Sequence, residues 1–153
     1  MSHNQHGARE TMPLKKPIVP YLKLSDSAGP CLEGLRCSSC NAVFIDTREA
    51  CSKCYARGAL VPFKLASTGK LYNWTIVHRN FPGIKVPFIS AIVDLDGGGT
   101  IKGNLIEIEP DPSKLTFGMP VTVVFSAVTQ TDATGSEFIS YFFVPSFQER
   151  SNQ

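Results

Sequence analysis

The C-terminal part of the chain is a series of short apolar stretches separated by turn-forming residues. Val121, Val123 and Phe125 recur at every second position, which is the period of a strand with one buried face. Residues 88–95 form an apolar run instead, as expected for a strand buried on both faces. The whole pattern predicts five strands, at residues 69–79, 88–95, 100–109, 119–128 and 137–144.

The connections between these predicted strands are short and rich in turn residues. Asp96 to Gly99 and Asp132 to Gly135 have turn composition, and Pro110-Asp111-Pro112 ends the third strand. Gly97-Gly98-Gly99 joins two strands and does not open a helix, so it predicts a turn and not a phosphate-binding loop. Five strands with one break between the third and fourth indicate a small closed barrel of the OB type, although an SH3-like barrel has a similar pattern.

The region before the predicted barrel divides into two parts. Residues 1–30 contain Pro13, Pro17, Pro20 and Pro30 without helical or strand periodicity, which predicts an extended arm. The apolar side chains of this arm either pack on the chain's own domain or lie across a partner. Residues 31–60 hold five cysteines, four of them in two close pairs, and residues 61–153 form the predicted OB-fold domain.

Two Cys-x-x-Cys pairs, Cys37 with Cys40 and Cys51 with Cys54, are separated by ten residues. Each pair places two thiolates on one turn, and two such turns supply the four sulfurs of a structural Zn²⁺ site. We therefore predict a zinc ribbon that holds one zinc ion. An iron site of the rubredoxin type uses the same ligands and remains an alternative. Two disulfides would require an oxidising compartment, and a thioredoxin-like redox site would have one pair instead of two.

Composition narrows the function classes. The 153 residues are 42% hydrophobic and 18% charged, with a net charge of +2, so a globular protein is expected and electrostatics give no argument for nucleic acid. Single-stranded nucleic-acid binding remains the remote alternative, because OB barrels also serve that purpose. Residues 1–10 are polar, which predicts no secretory signal and a cytoplasmic protein. No stretch has the length of a membrane span.

Several motifs in this order resemble one family, the acyl-CoA-associated proteins that join a zinc ribbon to an OB fold. They are Leu35-Arg36-Cys37-Ser38-Ser39-Cys40, Arg48-Glu49-Ala50-Cys51-Ser52-Lys53-Cys54, the run from Ser67 to Arg79, the loop from Pro82 to Phe88, the run from Ala91 to Gly97, and Gly118-Met119-Pro120-Val121. The chain departs from the family at Asn41, where glycine is usual, and at Thr47, where proline is common. The Pro-rich arm replaces the helical segment that usually precedes the ribbon.

The resemblance implies a non-catalytic accessory subunit that helps to bind acyl-CoA and to assemble an enzyme. It implies a thiolase-family large subunit as the partner in a hetero-oligomer, with an enoyl-CoA hydratase, an aldolase or a ketosynthase-like acyltransferase as alternatives. The residues agree with that role, because a closed four-sulfur site has no open position for substrate. Cys31 is then the remaining thiol, and no motif nearby would activate it as a nucleophile.

Coenzyme A carries phosphates, so its binding site needs cations. The candidate CoA-binding residues are Lys70, His78, Arg79, Lys85 and Lys102. The loop before the second predicted strand is unusually apolar for a connection. Its side chains either close over the barrel or contact a partner or an acyl chain, and the candidates are Phe81, Ile84, Val86 and Phe88.

Overall fold

The computed structural model describes residues 15–25, 27–131 and 136–146. Ten strands and one 3-10 turn at Pro112–Lys114 make up its regular structure. The strands are β1 (Lys15–Pro17), β2 (Leu22–Lys23), β3 (Cys31–Cys37), β4 (Val43–Phe44), β5 (Leu60–Lys64), β6 (Thr68–Val77), β7 (Phe88–Leu95), β8 (Thr100–Leu105), β9 (Pro120–Thr131) and β10 (Glu137–Pro145). Within the described residues, no helix is long and apolar enough to cross a membrane.

Strands β6 to β10 form the closed five-stranded barrel that the sequence predicts. The order around the barrel is β6, β7, β8, β10, β9, and β9 pairs again with β6. Every neighbouring pair is antiparallel except β8 with β10. Because β9 pairs with both β10 and β6, the sheet closes on itself and leaves no free edge within the barrel.

The barrel interior is filled by the alternate side chains of each strand. Ile89, Ala91 and Val93 of β7 point inward and are at most 1% exposed. Phe143 of β10 is fully buried in the same core, and its ring leaves no room for a side chain at Gly103. A strand that places every second residue in the core leaves the residues between them on the outer face of the barrel.

The third predicted strand is shorter than expected. The sequence predicted a strand at 100–109, whereas β8 ends at Leu105. Ile106 still donates its N–H to the carbonyl of Phe143, but Glu107 adopts a φ of 60°. A left-handed residue turns the chain out of the sheet, so the Ile-Glu alternation that follows is not a strand.

The described part of the N-terminal segment packs on the chain's own barrel. Lys15–Pro17 pairs in parallel with β10, and Leu22 is fully buried where β2 pairs with β3. The Tyr21 hydroxyl lies 2.8 Å from the Tyr141 hydroxyl. Of the two alternatives for these apolar side chains, packing on the chain itself applies to this stretch, and residues 1–14 lie outside the described residues.

The ribbon rests on the turn between β7 and β8. Gly98 and Gly99 adopt φ angles of 111° and 97°, and a Cβ on Gly98 would lie 3.0 Å from the Val43 side chain. Arg36 adds a bond from its guanidinium to the Gly97 carbonyl, at 3.4 Å. Strand β5, from Leu60 to Lys64, pairs with β3 beside this contact. The glycines of this turn therefore allow the ribbon and the barrel to approach closely.

Candidate metal centre and ligand cleft

Two turns of the same construction present the four cysteines. In the first, Cys37 N–H donates to the Ala42 carbonyl and Asn41 N–H donates to the Cys37 carbonyl, both at 2.9 Å. The second turn repeats the pattern with Cys51, Ala56 and Tyr55, at 2.9 and 2.8 Å. Asn41 and Tyr55, each directly after the second cysteine of its pair, adopt φ angles of 59° and 63°. The local backbone thus turns both thiols of a pair to the same side.

The four sulfurs converge on one point. The Sγ atoms of Cys37 and Cys54 lie 3.7 Å apart, and those of Cys40 and Cys51 lie 3.6 Å apart. All four ligand atoms lie within 4.8 Å of one another. Zn–S bonds of about 2.3 Å at tetrahedral angles require sulfur separations of about 3.8 Å. The arrangement therefore fits a single tetrahedral metal ion, and a bound zinc would cross-link the two turns.

The electrostatics of the cluster favour a cation. Burial raises the pKa of the Cys51 thiol, but the backbone N–H groups of Cys54 and Lys53, together with side-chain hydrogen bonds from Cys40 and Cys54, lower this pKa to about 6. The Ala56 N–H favours the Cys54 thiolate, yet burial and the neighbouring sulfurs raise the pKa of Cys54 to about 12. Four thiolates so close together repel one another unless a positive ion lies between them.

Two arginine–aromatic contacts that were not predicted from the sequence support the ribbon. The Arg36 guanidinium lies 3.5 Å from the centre of the Phe63 ring, and the Arg48 guanidinium lies 4.1 Å from that of Phe44. Arg48 also donates to the Ser52 hydroxyl at 2.9 Å. These contacts stabilise a segment with few buried apolar side chains of its own. Arg36 and Phe63 lie far apart along the chain, so no local spacing in the sequence indicates their contact.

A cleft of about 480 Å³ lies on the outer face of the barrel, beside the loop that connects β6 to β7. Its lining combines apolar side chains, hydroxyl and amide groups and two lysines. The lining residues are Thr75, Val77, Asn80, Ile84, Lys85, Phe88, Ser90, Lys102 and Asn104. In OB folds, the outer face of the second and third strands, with the adjoining loops, is a common ligand site.

The structure brings together some of the candidate residues and separates others. Lys85 and Lys102 both line the cleft, together with Ile84 and Phe88. Lys70 does not line it and pairs with Pro120 at the start of β9. His78 and Arg79 are exposed directly after β6 and are not among the lining residues.

The remaining apolar candidates, Phe81 and Val86, are exposed and lie outside the cleft lining. Phe81 is 80% exposed and Val86 is 37% exposed, and neither lines the cleft. The loop between β6 and β7 therefore has two sides, with Ile84 and Lys85 towards the cleft and Phe81 and Val86 outside it. The sequence indicated this loop, whereas the polar residues of the cleft floor were not predicted. Their signal in the sequence is that they occupy the strand positions that alternate with the buried core residues.

The chain is similar to several known proteins. The family model for the C-terminal OB-fold domain of ChsH2 matches residues 64–126. A DUF35 domain-containing scaffold protein of Methanocaldococcus jannaschii is 31% identical over 118 residues, which are 75% of this chain and 82% of that protein. Among solved structures, the Ltp2-ChsH2(DUF35) aldolase is similar with a TM-score of 0.59 and 25% identity, covering 75% of this chain and 84% of that one.

Two further relatives are named as subunits of enzymes. A probable enoyl-CoA hydratase alpha subunit of Thermomonospora curvata is 31% identical over 62% of this chain, which corresponds to 23% of that protein. The benzoylsuccinyl-CoA thiolase subunit BbsA of Geobacter metallireducens is 34% identical over 46% of this chain and 47% of its own length. The long match to the scaffold protein, together with the closed barrel and the clustered cysteines, leads to one conclusion: this chain belongs to the DUF35 family, with an OB fold.

Proposed function

We propose that this protein is a non-catalytic subunit of a complex that acts on acyl-CoA thioesters, and that its partner is a thiolase-family large subunit. In this role it binds the large subunit and contributes to the binding of acyl-CoA. The relatives support an enzyme complex in general terms, because their names include a thiolase subunit, a hydratase subunit and an aldolase. These names do not distinguish a thiolase from a hydratase, an aldolase or a ketosynthase-like acyltransferase, and we propose the thiolase.

The observation that carries the proposal is the two-sided loop beside the cleft. Phe81, Ile84 and Val86 are 80%, 47% and 37% exposed and lie within six residues of one another. Small proteins rarely leave such a group of apolar side chains in water unless it contacts another molecule. Aromatic side chains in this position are also the kind that dominate binding energy.

The four-cysteine cluster fits a supporting role. A tetrahedral site with four protein sulfurs has no open position at which substrate or water could bind. We propose that its metal, zinc in preference to iron, maintains the ribbon and its position on the barrel. The ribbon would then serve assembly, and the reaction would take place on the partner.

Reconstitution tests the proposal. The purified chain is mixed with a thiolase-family enzyme from its own genome, and the mass of the product is measured by light scattering after gel filtration. We expect a hetero-oligomer, thiolase activity that depends on this chain, and no turnover by the chain alone. Parallel mixtures with hydratase, aldolase and ketosynthase-like candidates decide between the partner classes. A chain that stays monomeric with all of them would contradict the proposal.

A further inference from the structure

The floor of the cleft is a regular array on three strands. Ser90 of β7 lies opposite Thr75 of β6 on one side and opposite Asn104 of β8 on the other. These three polar side chains therefore form one row across the sheet. Lys102 lies two positions before Asn104 in β8 and so projects from the same face.

The cleft is positively charged. Lys85 and Lys102 line it, and no acidic residue does. Within the part of the chain that the structure describes, neither lysine forms an ion pair or a side-chain hydrogen bond. Asp94, on the same face of β7, lies outside the cleft and accepts a bond of 2.6 Å from the Thr100 hydroxyl. Two lysines without counter-charges favour an anionic ligand.

The cleft also has apolar walls. Val77 and Phe88 lie opposite each other at the end of the β6–β7 pair, and Ile84 faces them from the loop. A volume of about 480 Å³ lies within the usual range for small-molecule sites, about 300–1,000 Å³. These walls suit the face of a flat aromatic ring such as a nucleobase. The side-chain amides of Asn80 and Asn104 would donate to polar atoms on the edge of that ring and accept from them.

We infer that this cleft binds the phosphorylated adenosine end of coenzyme A, with Lys85 and Lys102 at the phosphates. The inference rests on the proposed function and specifies which part of the ligand this chain holds. Pantetheine is uncharged and an acyl chain is apolar, so neither requires two unpaired lysines. The adenosine end combines a ring, polar edges and phosphates, and it matches all three classes of lining residue.

Calorimetric titration of the full chain tests the inference with three probes, which are coenzyme A, adenosine 3′,5′-bisphosphate and pantetheine. We expect coenzyme A and the bisphosphate to bind comparably and to compete, and pantetheine neither to bind nor to compete. Lys85→Gln and Lys102→Gln should each weaken binding about tenfold, because each removes a charge-assisted contact with phosphate. Lys70→Gln is the matched control, since Lys70 lies outside the cleft, and it should leave binding unchanged.

The outcomes separate this inference from the proposed function. Coenzyme A binding that is unaffected by both lysine variants, or equal binding of pantetheine, overturns the inference and leaves the accessory role intact. A lack of binding by coenzyme A and the bisphosphate at millimolar concentration also overturns it, while the reconstitution assay decides the accessory role independently. Tighter binding of a single-stranded oligonucleotide with the same lysine dependence would assign the cleft to nucleic acid. Unchanged melting temperatures of the variants establish that they fold.

Discussion

The hydroxyl oxygens of Tyr21 and Tyr141 lie 2.8 Å apart and join the N-terminal segment to the barrel. Tyr141 donates its own proton to the Lys102 carbonyl, so the Tyr21 hydroxyl is the donor in the bond between the two tyrosines. Burial and the contact with Tyr21 raise the pKa of Tyr141, which keeps its phenol protonated. The segment is thereby connected to the backbone of β8, the strand that carries Lys102.

Replacement of Tyr21 by phenylalanine should destabilise the fold modestly. The substitution removes one hydrogen bond but leaves the bond from Tyr141 to Lys102, so we expect a loss of about 0.5–1.5 kcal/mol in the free energy of unfolding. Urea denaturation measures it. Tyr72→Phe is the control, because Tyr72 is 60% exposed, and an equal loss in both variants would contradict the role assigned to the Tyr21–Tyr141 contact.

Metal content should depend on the ribbon cysteines. We expect about one zinc per chain by elemental analysis, and loss of the metal in Cys51→Ser. Amide exchange should then become fast in residues 37–54 while most of β6–β10 stays protected, since the barrel has its own core. Cys31→Ser is the control and should retain the metal. Full zinc occupancy in Cys51→Ser would show that the ligand assignment is wrong.

A methyl group at residue 34 should strain the ribbon. A Cβ on Gly34 would lie 2.3 Å from the Phe44 backbone oxygen, and backbone cannot move aside as a flexible side chain can. We expect Gly34→Ala to cost about 1–3 kcal/mol of stability, as overpacking usually does. Thermal unfolding of the zinc-loaded protein measures the effect. A melting temperature equal to that of the unchanged protein would mean that β4 shifts freely away from β3.

Replacement of the aromatic side chains at the two ends of the β6–β7 loop by alanine should have different effects on stability and on association. Phe81 is 80% exposed, so Phe81→Ala should leave the melting temperature unchanged and weaken association with the partner enzyme by about 1–3 kcal/mol. Phe88 is half-buried in the cleft, so Phe88→Ala should cost about 1–3 kcal/mol of stability instead. Phe117→Ala, at an aromatic residue that is 73% exposed outside this loop, is the control for association.

Ligand and partner should affect each other's affinity. Ile84 and Lys85 line the cleft while Phe81 of the same loop is exposed, so a ligand that orders the loop would reduce the cost of ordering it for the partner. We expect coenzyme A to tighten the partner complex and, by linkage, the partner to tighten coenzyme A by the same factor. Association measured with and without coenzyme A tests this, and the Lys102→Gln variant should lose the effect.

The sequence by itself determined the four cysteines of the candidate metal centre and most of the barrel strands. Cys37, Cys40, Cys51 and Cys54 were identifiable because each pair lies on one local turn, whose geometry depends on a few adjacent residues. The barrel strands were identifiable because alternation along a strand reflects which side chains reach the core. The strand prediction from alternation was wrong after Leu105. The apolar period continues there, but the left-handed backbone of Glu107 turns the chain out of the sheet.

Only the tertiary structure decided which residues and segments are neighbours in space. Lys85 and Lys102 line one cleft, and Lys70 lies outside it. The register of β6, β7 and β8 and the path of the β6–β7 loop decide this placement. The N-terminal segment lies on β10, and the glycine turn after β7 lies against the ribbon, through contacts between residues far apart in the chain. Such contacts depend on packing and strand pairing across the whole molecule, and no local spacing in the sequence records them.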